Sequence, residues 1–158
     1  MDRRELPKIQ VWTDGSCNNN RKSDGGGIGI VMRFNENQHE VSEGPFMDSP
    51  TSASMEIMAV IRALEILSFR YNIIIHSDNQ YVVNTYEKKW LQRWVKNGEL
   101  GKRANGELWK RFDKIVSKHK KMGSRVKLCW VKGHNGNEYN EIADKLANEG
   151  RLNHKKIA

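Results

Sequence analysis

Apolar positions fall into short β-branched or aromatic runs in the first half of the chain and after residue 123, and into longer segments of helical spacing between and beyond them. Lys8 to Thr13 alternates loosely and predicts a first strand, which stops on Asp14 and turns on Gly15. After a polar loop, Gly26–Phe34 predicts a second strand, and Gln38 to Gly44 a third, joined to the second through the turn Asn35-Glu36-Asn37. Pro50-Thr51-Ser52 opens a helix expected to reach about Phe69. Asn72 to Asp78 is a continuous apolar run of the kind covered on both faces, and it too ends on an aspartate.

Beyond it the pattern predicts a short helix from Gln80 to about Lys88, a segment from Trp90 to Gly98, and a polar loop to Gly106. A helix from Glu107 to about Lys121 and a last strand from Ser124 to Val131 follow, then the loop Lys132 to Asn137. Glu138 to Glu149 predicts a terminal helix that stops at Gly150 and leaves residues 151–158 as a short basic tail.

At 158 residues the chain fits a single domain, 1–158, with its core at about 8–150, large enough to need neither disulfides nor structural metal. Cys17 and Cys129 have no cysteine neighbour, so they read as free thiols in a reducing compartment. No apolar run is long enough for a membrane span, so a cytoplasmic monomer that makes no membrane contact is expected. The net charge of +8 is uneven: Lys88 to Lys121 holds 12 Lys/Arg against 3 acids. Such a segment points to a polyanion partner. Within it Trp90 and Trp94, four apart, share a helix face beside Arg93 and Lys96, which suits a surface lying against sugars and phosphates.

Four acids stand out by position. Asp14 and Asp78 end two strands, which places them at one sheet edge if those strands are parallel neighbours. At 100° per residue, Val60, Ala63 and Leu67 fall within about 40° of Glu56, so this carboxylate heads an apolar stripe. Burying it there demands a partner or a cation. Asp144 borders the stripe Ile142, Ala143, Leu146 and Ala147 of the terminal helix. Clustered carboxylates repel unless divalent ions neutralise them, and oxygen ligands suit Mg²⁺ or Mn²⁺. The Gly26-Gly27 stretch is no phosphate loop, because it enters a strand and lacks a following Gly-Lys-Ser/Thr. Close backbone approach is its expected role.

Thr13-Asp14-Gly15-Ser16-Cys17, Met55-Glu56, Ser77-Asp78-Asn79-Gln80-Tyr81, Trp130-Val131-Lys132-Gly133-His134 and Asn140-Glu141 before Asp144 together resemble type 1 ribonuclease H, from about Lys8 to Gly150. The resemblance implies an α/β ribonuclease H-like fold: a five-stranded mixed sheet, three strands antiparallel and two parallel to the first, flanked by helices. It implies hydrolysis of the RNA strand of RNA–DNA hybrids, with 5′-phosphate and 3′-hydroxyl products. Asp14, Glu56, Asp78 and Asp144 would hold two Mg²⁺ ions, with Mn²⁺ as a substitute, and His134 would assist proton transfer or release. Cys17, Asn20 and Gln80 would contact the RNA 2′-hydroxyls, Trp90 and Trp94 the DNA strand, and Thr51 and Asn105 a DNA phosphate. His39, His76, His119 and His154 match no motif.

The chain departs from the family pattern at Glu99, where a further Trp is common, at Ser52 and Ala53 ahead of Glu56, at Ser49 in place of an Arg, and in a shorter loop to Trp109. Two other readings compete. A non-catalytic nucleic-acid-binding module on the same fold accounts for the basic segment but not for four acids and His134. A transposase or integrase core shares a strand-one Asp but not the Gly-His loop or the Trp-bearing insertion.

Overall fold

β-branched residues at alternate positions make the central strands, and the computed structural model arranges them as a five-stranded sheet of order β3-β2-β1-β4-β5. It describes residues 5–18, 25–133 and 136–157, the last with side chains through 153. β1 (Lys8–Cys17) pairs antiparallel with β2 (Gly26–Phe34), which pairs antiparallel with β3 (Asn37–Phe46). On its other side β1 pairs parallel with β4 (Asn72–Ser77), and β4 pairs parallel with β5 (Arg125–Trp130). The parallel β1–β4 register, Thr13 opposite Ser77, brings Asp14 and Asp78 out at the same edge.

Alternation then sorts the faces. Ile9, Val11, Ile28, Ile30, Ile73, Ile75 and Leu128 are buried in one cluster with Ile57, Val60, Ile61 and Leu64 of α1 (Ser52–Ile66) and with Trp109, Phe112 and Val116 of α4 (Gly106–Lys121). Each such side chain fully buried contributes about 1.5–3 kcal/mol. The opposite face of β1–β3 is covered by α5 (Glu138–Ile157), with Trp12 and Val31 against Ala143. Between β4 and β5, α2 (Gln80–Glu87), α3 (Trp90–Lys96) and a 3₁₀ turn at Leu100–Lys102 carry the chain through the basic segment into α4.

Three expectations change. The terminal helix does not stop at Gly150 but runs to Ile157, so residues 151–157 are helical rather than a tail. Gly150 is there for contact: a Cβ would lie 2.2 Å from the Glu43 carbonyl oxygen of β3. Gly27 and Gly29 do the same from β2, where a Cβ would meet the Ala147 and Ala143 carbonyls at 2.2 and 2.1 Å, so the glycine stretch does serve close approach. α1 ends at Ile66 rather than Phe69, and Phe69 is exposed. β4 is fully covered on one face only, because α5 lies over β1–β3; Asn72, Ile74 and His76 are half-buried, with His76 stacked on Trp12.

Polar contacts tie the layers. Arg62 of α1 bridges Glu43 of β3 at 2.8 Å and Glu65 at 2.8 Å, and Glu65 receives Arg111 of α4 at 2.6 Å. At the edge strand β5, the Tyr86 hydroxyl donates to the Val126 carbonyl and the Leu128 amide donates to Glu87 Oε2, each at 3.1 Å. Two α2 side chains therefore occupy one carbonyl and one amide on the outward side of β5 that a sixth strand would use.

Candidate active site

Each acid reaches the sheet edge by a separate local device. Asp14 is 4% exposed on β1 and shares its face with Trp12 and Ser16, toward α5. Glu56 comes from the first turns of α1, whose start is set by a capping box: Thr51 Oγ1 accepts from the Ser54 amide at 2.9 Å and Ser54 Oγ accepts from the Thr51 amide at 2.8 Å. Gly15 lets that turn approach, since a Cβ there would lie 2.4 Å from the Met55 carbonyl carbon and 2.5 Å from the Glu56 nitrogen. The same Gly15 amide donates to Asp14 Oδ1 at 3.0 Å and Glu56 Oε1 at 3.1 Å.

Asp78 is the first of two residues between β4 and α2, the second being the N-cap Asn79. Ser77 Oγ accepts from the Asn79 amide and Asn79 Oδ1 caps α2 at the Val82 amide, each at 3.1 Å. Trp130 Nε1 donates to the Asp78 carbonyl at 3.2 Å. The outcome is that Asp14, Glu56 and Asp78 bring one carboxylate oxygen each to within 4.8 Å of one another. Asp144, half-buried on α5, is outside that trio but near enough to Asp14 to push its carboxyl further up.

The electrostatics are those of a site built for a cation. Burial, first, and then the charge of Glu56 push the Asp14 carboxyl far above the usual carboxylate range, with Asp78 adding to the effect. Burial and the charge of Asp78 also raise Glu56, against a hydrogen bond from Asp14 that favours its charged form. Without a cation this pair therefore retains a shared proton near neutrality. Glu56 Oε2 is buried with no hydrogen-bond partner. An unpartnered buried carboxylate oxygen facing two further carboxylates fits a hard divalent ion.

The RNase H family model matches residues 7–151. This chain belongs to the RNase H family. It is 38% identical over 149 residues to a Ribonuclease H of Clostridium botulinum (strain Hall), covering 91% of this chain and 95% of the relative. It is 37% identical over 150 residues to a Ribonuclease HI of Pasteurella multocida, covering 92% and 91%. Among solved structures, the crystal structure of LC9-RNase H1, a type 1 RNase H with the type 2 active-site motif, superposes with a TM-score of 0.72 at 26% identity, covering 92% of this chain and 72% of that one. The RNase H family is metal-dependent, and the trio Asp14, Glu56 and Asp78 matches that need.

The remaining residues expected at an RNase H site divide. Cys17 ends β1 with Sγ donating to the Pro50 carbonyl at 3.3 Å, and Gln80 is exposed at the start of α2. Thr51 and Asn105 are the N-caps of α1 and α4. Trp90 is half-buried, with the Lys88 ammonium 5.8 Å from its ring centre. Trp94 does not lie on an open surface: it is 8% exposed, edge-on to Trp109 at 6.3 Å, with the Arg103 guanidinium 4.4 Å above its ring. An i, i+4 pair of tryptophans marks a helix face without saying what faces it, and here Trp109, fifteen positions on, does. Asn20 and His134 lie outside the described residues. The glycine before His134 is described: a Cβ on Gly133 would stand 3.1 Å from Asp78 Oδ2, so the chain at Gly133 passes against the acid itself.

One cluster was not anticipated. Ser16, two residues after Asp14, donates from Oγ to Asn148 Oδ1 at 2.6 Å and accepts from Arg151 Nε at 3.0 Å. Treating Gly150 as a stop concealed Arg151; the spacing Ala143, Ala147, Gly150 was the signal that the helix continues.

Proposed function

We infer that this chain hydrolyses the RNA strand of RNA–DNA hybrids using two Mg²⁺ ions, with Mn²⁺ as a substitute, and leaves 5′-phosphate and 3′-hydroxyl ends. The observation that carries the reading is the convergence of Asp14, Glu56 and Asp78, with a buried unpartnered Glu56 oxygen, in a chain matched by the family from residue 7 to 151. Asp144 completes the ligand set from α5. When bound, the ions supply a nucleophilic water at neutral pH and stabilise the leaving oxygen in an in-line displacement at phosphorus.

The chain's own part is positioning and proton control. Gly15 holds one oxygen of Asp14 and one of Glu56, and leaves Glu56 Oε2 buried without a partner. Asp14 and Glu56 surrender their shared proton when a cation is held. His134 follows a glycine pressed against Asp78, a placement that supports its role in moving a proton to the leaving oxygen or in releasing product. Cys17, Asn20 and Gln80 flank the two strand-end aspartates in sequence, which supports contact with 2′-hydroxyls. Thr51 and Asn105 stand at helix N-termini, where free amides favour a phosphate. All twelve Lys/Arg of residues 88–121 are exposed, as a hybrid-binding surface requires. Two free, half-buried thiols support a cytoplasmic setting.

End-labelled RNA–DNA hybrid, double-stranded RNA and double-stranded DNA, incubated with Mg²⁺, Mn²⁺ or chelator, test this. Cutting of the RNA strand in the hybrid alone, dependent on metal and lost in Asp14→Asn, is expected. Cutting of all three duplexes, or undiminished cutting by Asp14→Asn, overturns it.

A further inference from the structure

Arg103 is engaged twice within the basic segment. Its Nη2 pairs with Glu99 Oε2 at 2.8 Å, and its guanidinium lies 4.4 Å above the Trp94 ring. Both Arg103 and Glu99 stay more than a third exposed, at 44% and 38% of their side chains, and with Lys102 they line a shallow cleft of about 260 Å³. Trp94 continues into a series of rings: Trp109 at 6.3 Å, and from Trp109 to Tyr81 at 6.2 Å. Tyr81 is three residues from Asp78. A series of packed rings thus runs from Arg103 to the first turn of α2.

We propose that Arg103 is a phosphate ligand for the backbone of the hybrid, held in readiness by Glu99, which occupies the guanidinium until a phosphate replaces it. The assignment rests on the nuclease reading above. A guanidinium fork takes carboxylate and phosphate oxygens with the same geometry, so the exchange needs no rebuilding of the side chain. Stacking on the indole keeps the guanidinium plane fixed while the partner changes. An exposed i, i+4 ion pair is weak enough to yield to a polyanion. The other ion-paired arginine of the segment is committed elsewhere: Arg111 donates to both oxygens of Glu65, which also receives Arg62. Glu99 therefore sets how much of the segment's charge is available to substrate, and its loss strengthens binding.

The test is fluorescence anisotropy of a labelled RNA–DNA hybrid in chelator, titrated with wild type, Glu99→Gln, Arg103→Ala and Arg103→Lys from about 50 to 200 mM salt. Glu99→Gln tightens binding roughly threefold at low salt, the scale of a weak exposed ion pair. Arg103→Ala lowers the slope of log affinity against log salt by about one, and Arg103→Lys retains the slope. In Mg²⁺, Arg103→Ala raises KM and leaves kcat unchanged. An unchanged salt slope in Arg103→Ala, or no tightening in Glu99→Gln, overturns the assignment. These outcomes are separable from the nuclease reading, which stands or falls on whether wild type cuts the hybrid.

Discussion

The acid-bearing edge and the basic segment are opposite solutions to handling charge. Asp14, Glu56, Asp78 and Asp144 come from four elements spread over 131 residues, are pressed together by close backbone approach, and oppose one another electrostatically. The cations of residues 88–121 come from one continuous stretch, stand in solvent, and pair weakly with local acids. The first arrangement depends on the whole fold and costs stability when metal is absent. The second is anchored to the core through Trp94, Trp109 and Phe112, but its cations themselves stand outside that core. The departures at Ser49, Ser52, Ala53 and Glu99 leave the four acids unchanged, and of these four positions Glu99 alone lies in the basic segment.

The strongest way to break this contrast is to neutralise the edge. Asp14→Asn should reduce hybrid cleavage by roughly 10³-fold or more, the scale of losing a ligand that makes the chemistry possible. It should also stabilise the metal-free protein by on the order of 2 kcal/mol, because wild type must take up a proton at the buried acids in order to fold and asparagine needs none. The pH dependence has a definite sign. A carboxyl whose folded pKa is raised binds more protons folded than unfolded, so wild-type stability in chelator falls as pH rises from about 4 through the raised value. Melting temperatures at acid and neutral pH check this: the gap between Asp14→Asn and wild type should widen with pH in chelator and close with saturating metal.

A smaller effect is expected from moving the acids without changing them. Gly15→Ala drives a methyl into the Met55 carbonyl carbon and the Glu56 nitrogen at 2.4–2.5 Å, which displaces α1 from β1. Cleavage should fall about 10²-fold, as for a misplacement on the order of 1 Å, with stability down by about 1–3 kcal/mol. Hydrolysis rates and chemical denaturation separate the two losses. Gly150→Ala should lower stability by about 1–3 kcal/mol although alanine is the better helix former by roughly 1 kcal/mol. A rise in melting temperature would show that Gly150 is not held against Glu43. Smallest of all, Lys96→Ala should leave stability within about 0.5 kcal/mol and kcat unchanged, while reducing the salt slope of hybrid binding by about one.

Legibility followed the same division. Asp14 and Asp78 could be read because each terminates an apolar run, and Glu56 because helical phase puts it on a line of Val60, Ala63 and Leu67. Asp144 required only the stripe of α5. What these positions did not reveal was how the acids are held: Gly15 and Gly133 act through the space they leave, and a glycine in a sequence does not say what approaches it. Gly150 misled for a related reason, since the same residue that ends helices also admits a neighbouring backbone. Trp94 carried an ambiguous signal, because its partners Trp109 and Arg103 lie beyond its own helix.

The bonds that Tyr86 and Glu87 of α2 make to the last strand bear on handling and storage of the protein. They act as a plug on part of that edge, occupying one carbonyl and one amide with which a neighbouring molecule's strand would pair. Glu87→Ala removes half of that plug at a distance from the acids. Its signature is turbidity on warming or at high concentration, in a preparation whose remaining soluble fraction turns over substrate normally.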